Sequence, residues 1–171
     1  MNKLIIRSTL ILLLFISGIC HGQKVSWNTV TDYDHNCSIY FPTVGTQVFK
    51  NTKEGLRFTT YSMYGQSSYF LKVTELIASP GQGQEKAKKV IKAWATKVKG
   101  KITEENDWEV LGRLGKKGKI EISEAGKPEM LVFCQVILVG KTQYEVIAMT
   151  PKEIYDKAFE GIFLDSFNFL K

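Results

Sequence analysis

Three observations predict an α+β fold in which a mainly antiparallel sheet is covered by helices. Several runs are strand-like: over 67–78, Tyr69, Leu71 and Val73 fall on one face and Phe70, Lys72 and Thr74 on the other. One stretch, 85–98, changes period, with Ala87, Val90, Ile91, Trp94 and Val98 forming a helical stripe. Near the end, Thr150-Pro151-Lys152-Glu153 reads as an N-cap, a proline at the first helical position and a capping glutamate. A helix through about Phe163 is expected to follow, with Ile154, Tyr155, Ala158, Phe159, Ile162 and Phe163 as its apolar side. The order is strands, helix, strands, helix. Short connections make sequential strands antiparallel, and the helices must bury their stripes on the sheet.

The chain opens with the three parts of a cleavable secretory signal over residues 1–22. Lys3 and Arg7 are positive, Leu10 to Ile16 is apolar without a break, and Cys20-His21-Gly22 offers small residues for cleavage before Gln23. The apolar run falls short of the roughly 20 residues that a membrane anchor needs. Cys20 follows that run directly, which raises the alternative of a lipoprotein. Ile19 is large for the place before a lipidated cysteine, and the cleavable leader is the expectation. No later apolar stretch has membrane length. Residues 23–171 then form one domain, exported to the periplasm or secreted.

The first expected strand is Cys37–Phe41, stopped by Pro42, after a polar lead-in around Trp27. Runs 46–50 and 56–63 flank Asn51-Thr52-Lys53-Glu54-Gly55, a hairpin signal. After the helix at 85–98, ended by Gly100, strands are expected at 108–114, 119–123, 129–139 and 143–149. Gly115-Lys116-Lys117-Gly118, Glu124-Ala125-Gly126-Lys127-Pro128 and Gly140-Lys141-Thr142 serve as turns. No repeat and no long flexible linker divides the chain.

These elements resemble the PsbP/Mog1-like group of α/β/α sandwich proteins. Ile39-Tyr40-Phe41-Pro42, the early hairpins, the mid-chain helix and the closing 158–167 segment, Ala-Phe-Glu-Gly-Ile-Phe-Leu-Asp-Ser-Phe, carry the resemblance over about residues 25–171. It implies the sandwich fold and favours binding over catalysis. Members of that group with known roles bind other proteins, one branch at photosystem II and another at a nuclear GTPase. No motif here transfers either role.

Chemistry is sparse. His35 is the one histidine after the leader, no G-x-S-x-G elbow accompanies it, and thiolate zinc sites need more ligands than the chain has. No enzyme, metal or cofactor is expected. Asp32, Asp34 and Asn36 match the first three positions of a calcium loop, but Cys37 stands where that loop needs glycine and Thr43 where it needs glutamate. A solvated turn is the simpler assignment. The two cysteines left after cleavage, Cys37 and Cys134, are a candidate disulfide in an oxidising compartment; otherwise each is a small buried hydrophobe on its own strand. Tyr61, Tyr64 and Tyr69 are either an aromatic contact patch or strand packing.

The formal charge of +6 falls by two with the leader, too mild for a nucleic-acid binder. The positive charge is concentrated on the helix 85–98 and beyond it. Lys88, Lys92, Lys99, Lys116 and Lys117 are candidate contacts to an anion or lipid headgroup, against the alternative of a solvated face. The sequence is read as a non-catalytic protein-binding or accessory module of the cell envelope with an unidentified protein partner, with the anion binder as the alternative.

Overall fold

The computed structural model describes residues 25–170. The leader 1–22, its cleavage after Gly22, and Cys20 lie outside the described residues. Strands β1 (Asn28–Asp32), β2 (Cys37–Phe41) and β10 (Asn168–Phe169) form a small sheet of order β1-β2-β10. The large sheet contains β3 (Thr46–Asn51), β4 (Gly55–Tyr64), β5 (Ser67–Leu76), β6 (Lys101–Val110), β7 (Arg113–Ile122), β8 (Met130–Val139) and β9 (Thr142–Pro151). Its order is β3-β4-β5-β9-β8-β7-β6, antiparallel throughout. Helix α1 (Gly83–Lys97) carries the chain from β5 to the far edge, and three hairpins return it to pair β9 with β5.

Strand alternation splits the core in two. On one face of the large sheet, Tyr69, Leu71, Val73, Tyr144 and Val146 pack against Ile39 and Phe41 of the small sheet and Phe163 of helix α2 (Lys157–Leu164). On the other face, Ala87, Ile91 and Ala95 of α1 pack on Ile120, Val132, Val136 and Ile147. Burying a side chain of this size contributes roughly 1.5–3 kcal/mol. The layers are therefore helix, sheet, and helix with small sheet, the α+β sandwich that the alternation predicts.

Several boundaries differ from expectation. Gly115-Lys116-Lys117-Gly118 is not a turn but the middle of β7. A Cβ on Gly118 would meet Ile91 Cγ2 at 2.7 Å, and one on Gly115 would meet the Val136 carbonyl oxygen at 2.3 Å. These glycines are there for the close approach of α1 and β8. The true reversal is Leu111-Gly112, both with positive φ, inside the run expected to be one strand over 108–114. Lys99, with φ 54°, takes the left-handed position after α1, ahead of Gly100.

The capping-box assignment also fails. Thr150 and Pro151 end β9, where Thr150 Oγ1 is buried and bonded to Ser67 Oγ at 2.8 Å. A single 3-10 turn, Lys152–Ile154, follows, and Tyr155 stacks on Phe133 at 5.2 Å outside any helix. Asp156 is the actual N-cap of α2, accepting from the amides of Ala158 and Phe159 at 2.8 and 3.2 Å. The cap is real, six residues later than the sequence signal.

Candidate functional site

The large sheet has two edges, and one of them is open. β3 pairs with β4 in unbroken register, from Thr46 opposite Tyr61 to Asn51 opposite Leu56, and among the described residues with no other strand. All six of its residues are exposed, Phe49 to 76%. The hairpin that holds it is closed by Thr52, whose Oγ1 donates to the Gly55 carbonyl at 2.7 Å and accepts from the Gly55 amide. Val44, Val48, Phe49 and Met63 leave apolar surface on this strand and its flanks.

A different environment lies on each face of the edge. On the small-sheet face, a cavity of about 450 Å³ opens between Phe49, Phe58 and the 32–35 turn, with Asp32, Tyr33 and Asp34 at its wall. On the opposite face, Val48 lies among Lys50, Lys53 and Arg57 in a shallower depression. One side is apolar with acidic groups, the other basic.

The 32–35 turn is built by its own side chains. Asp32 Oδ1 accepts from the His35 amide at 3.0 Å, and Asn36 takes the positive φ that ends the turn. His35 is buried, with Nδ1 2.7 Å from Asp32 Oδ2, Nε2 3.4 Å from Glu75 Oε1, and its ring on Phe58 at 4.4 Å. Tyr144 donates to the His35 carbonyl at 2.7 Å. The ring is held through Nδ1 by Asp32, while Nε2, near Glu75, is buried without a hydrogen bond. Asp32 is the hydrogen-bond partner of His35. Among the described residues no group of three or more His, Cys, Asp or Glu side chains is disposed around a metal position.

The two cysteines are not bridged. Cys37 belongs to the core on the small-sheet face and Cys134 to the core beneath α1, with the large sheet between them, and both thiols are free and buried. A disulfide needs Cα atoms within about 7 Å, which opposite faces of a sheet with packed side chains do not allow. Burial first, and then the Asp32 charge, pushes the Cys37 thiol up to about 12, so it is inert as a nucleophile.

The five lysines do not share a surface. Lys88 and Lys92 lie on α1, and Lys99 just beyond it. Lys116 and Lys117 are successive residues of β7 and point to opposite faces. Lys88 is paired with Glu105 at 3.1 Å and Lys116 with Asp107 at 2.6 Å. The tyrosines serve packing: Tyr69 is buried with its hydroxyl on Glu160, Tyr64 stacks on Phe159 and Tyr61 on Phe70. The open β3 edge is not legible in the sequence, because exposure of Val48 and Phe49 depends on which strand ends the sheet.

No family model matches the chain, and no curated protein matches it by sequence. Solved structures share its fold. Cyanobacterial PsbP (CyanoP) from Synechocystis sp. PCC 6803 superposes with a TM-score of 0.57 at 11% identity, over 88% of this chain and 96% of that one. A protein from Bacteroides thetaiotaomicron VPI-5482 does so with a TM-score of 0.50 at 12% identity, over 84% of this chain and 48% of that one. The architecture is PsbP/Mog1-like. At such identities the likeness concerns the fold alone.

Proposed function

We propose that the chain is an exported, non-catalytic accessory module of the cell envelope that binds an extended segment of a partner protein by strand addition to β3. The observation that carries this reading is the six-residue β3 edge, exposed along its whole length and hydrogen-bonded on one side only. Such an edge is a template for another strand unless charge, proline or a bulge blocks it. β3 has one charged residue, Lys50, no proline and no bulge. An incoming strand would turn alternate side chains to the two faces of the edge. One set meets Phe49 and Phe58 beside Asp32 and Asp34; the other meets Lys50, Lys53 and Arg57. The fitting partner alternates apolar or basic residues with acidic ones. The export half rests on the Lys3/Arg7 start and the apolar run of residues 1–22.

Quantitative affinity capture from the source envelope tests it, with residues 23–171 as bait in wild-type form and as Val48→Lys/Phe49→Asp. Recovery of the partner should fall at least tenfold in the double variant, with the melting temperature nearly unchanged. Equal recovery by both baits would sink the proposal.

A further inference from the structure

The face of the large sheet that α1 covers holds a half-buried lysine. Lys72, on β5, turns to that face under Trp94 of α1, its Nζ 3.8 Å from the Trp94 ring centroid and 5.8 Å from that of Phe70. Among the described residues this nitrogen has no hydrogen-bond acceptor and no carboxylate within ion-pair distance. It is not sealed in: it keeps accessible surface and opens on a cavity of about 160 Å³ between α1 and the sheet. An ammonium group has three donors, and one that faces rings alone gives up hydration for little return. Burial accordingly lowers Lys72 to about 8; the charge of Glu145 opposes that shift, and those of Lys97 and Arg57 add to it. Both Glu145 oxygens are engaged, by Trp94 Nε1 at 2.7 Å and by Gln143 Nε2 at 2.9 Å. Glu54 at the rim is held by Arg57 and Lys86, at 3.6 and 3.5 Å. Cys134, also on this face, stays a neutral thiol because burial raises it well above its ordinary value. At pH 7.5 roughly a quarter of Lys72 is then the neutral amine, against about one part in a thousand for an ordinary lysine.

A desolvated lysine beside other cations is the arrangement that activates an amine toward carbonyl compounds. We propose that Lys72 is a covalent site for a short-chain aldehyde, which it takes up as a Schiff base. The Nζ lone pair attacks the carbonyl carbon and the C=O π pair moves to oxygen. The C–O bond then breaks, a C=N bond forms, and the oxygen leaves with the two nitrogen protons as water. No oxidant or reductant is required. One proton from solvent gives the iminium, which keeps the positive charge that the Trp94 face and Glu145 favour. Carbon dioxide also attacks neutral amines, but its carbamate would set an anion against that ring and that carboxylate. The cavity holds about five waters' worth of liquid volume, enough for a chain of about four heavy atoms along Val90, Ala93 and Trp94. The inference does not rest on strand addition at β3.

Reductive trapping tests it. Residues 23–171 are treated at pH 7.5 with limiting propanal and cyanoborohydride, and peptide mass spectrometry quantifies N-propylation at each lysine. Lys72 should react at least tenfold faster than the median of the other lysines, and its rate should level off above about pH 8 while theirs keep rising. The preference should vanish in denaturant, and with 2-naphthaldehyde, which the cavity is too small to admit. Lys97→Glu, with its melting temperature checked, should slow labelling of Lys72 about threefold by favouring the ammonium form. Three results overturn the proposal: labelling of Lys72 no faster than the median, a rate that rises with pH in parallel with the other lysines, or the same preference with 2-naphthaldehyde as with propanal.

Discussion

The two ends of the large sheet solve the edge problem differently. At the β6 end the strand is Lys-Ile-Thr-Glu-Glu-Asn-Asp-Trp-Glu-Val, with a register shift between Ile102 and Glu104 and ion pairs from Glu104, Glu105 and Asp107 to lysines on β7 and α1. Charge and a bulge are the devices that keep an edge from pairing with another chain. At the β3 end there is no bulge and Lys50 is the strand's one charge, and Phe49 and Val48 stand in water. Helix cover follows the same division: α1 packs mainly on β7 and β8 and reaches β6, and touches the β3–β4 end only at its margin, through Lys86 to Glu54 and beside Arg57. One end carries devices against pairing with another chain and the other has few, which is why strand addition is proposed at β3.

The largest effect should come from the covered half. Trp94 is half-buried; its Nε1 donates to Glu145 Oε2 at 2.7 Å, and Lys72 Nζ sits 3.8 Å from the ring centroid. Burial lowers Lys72 to about 8, with the Glu145 charge opposing. Trp94→Ala removes the packing and leaves a buried carboxylate short of a donor, so denaturant melts should show a loss of about 3 kcal/mol. Trp94→Phe keeps a ring for Lys72 and should lose about 1–2 kcal/mol. A negligible loss in both would mean that α1 does not hold down this half.

Next is a pH effect beneath α2. Glu160 faces the Tyr69 hydroxyl and the Asp156 charge, and its carboxyl rises from the ordinary 4.5 to about 6, chiefly through burial. The folded protein therefore holds a proton that the unfolded chain releases. This contribution is full below about pH 4.5 and is lost as pH rises through about 6, a change of about 2 kcal/mol. Glu160→Gln should flatten that part of the stability–pH profile. A profile identical to wild type between pH 4 and 7 would refute the assignment.

Stripping the guarded edge should convert it toward the open one. Glu105→Val/Asp107→Val removes two charges from β6, and sedimentation velocity should then show concentration-dependent association absent from wild type. The smallest effects belong to exposed side chains. Val48→Lys, Phe49→Asp and the combined Lys88→Gln/Lys92→Gln/Lys99→Gln change should each alter stability by under about 0.5 kcal/mol per site. The lysine triple also separates the two functions: loss of salt-sensitive binding to anionic vesicles in that variant would favour the lysine face over the β3 edge.

The parts legible in the sequence are those fixed by local periodicity. The 85–98 stripe, the alternation of 67–78 and the apolar run of 129–139 lead directly to α1, β5 and β8. What is illegible depends on neighbours distant in sequence. β1 and most of β6 are polar strands whose pairing comes from β2 and β7, and neither shows an apolar alternation of its own. The glycines of β7 look like a turn because close packing and chain reversal select the same residue. Gln135 and Glu160 read as ordinary polar residues on an apolar strand and an amphipathic helix; only the layer packing buries them.

The central claim, that β3 is the binding edge, is tested most directly by photo-cross-linking in the source envelope. A photoreactive side chain at position 48, on β3, is compared with one at position 105, on β6. The account predicts a discrete adduct from position 48, competed by unlabelled wild-type protein but not by Val48→Lys/Phe49→Asp, and none from position 105. Adducts from position 105 alone, or an adduct at 48 competed equally by both proteins, would contradict it.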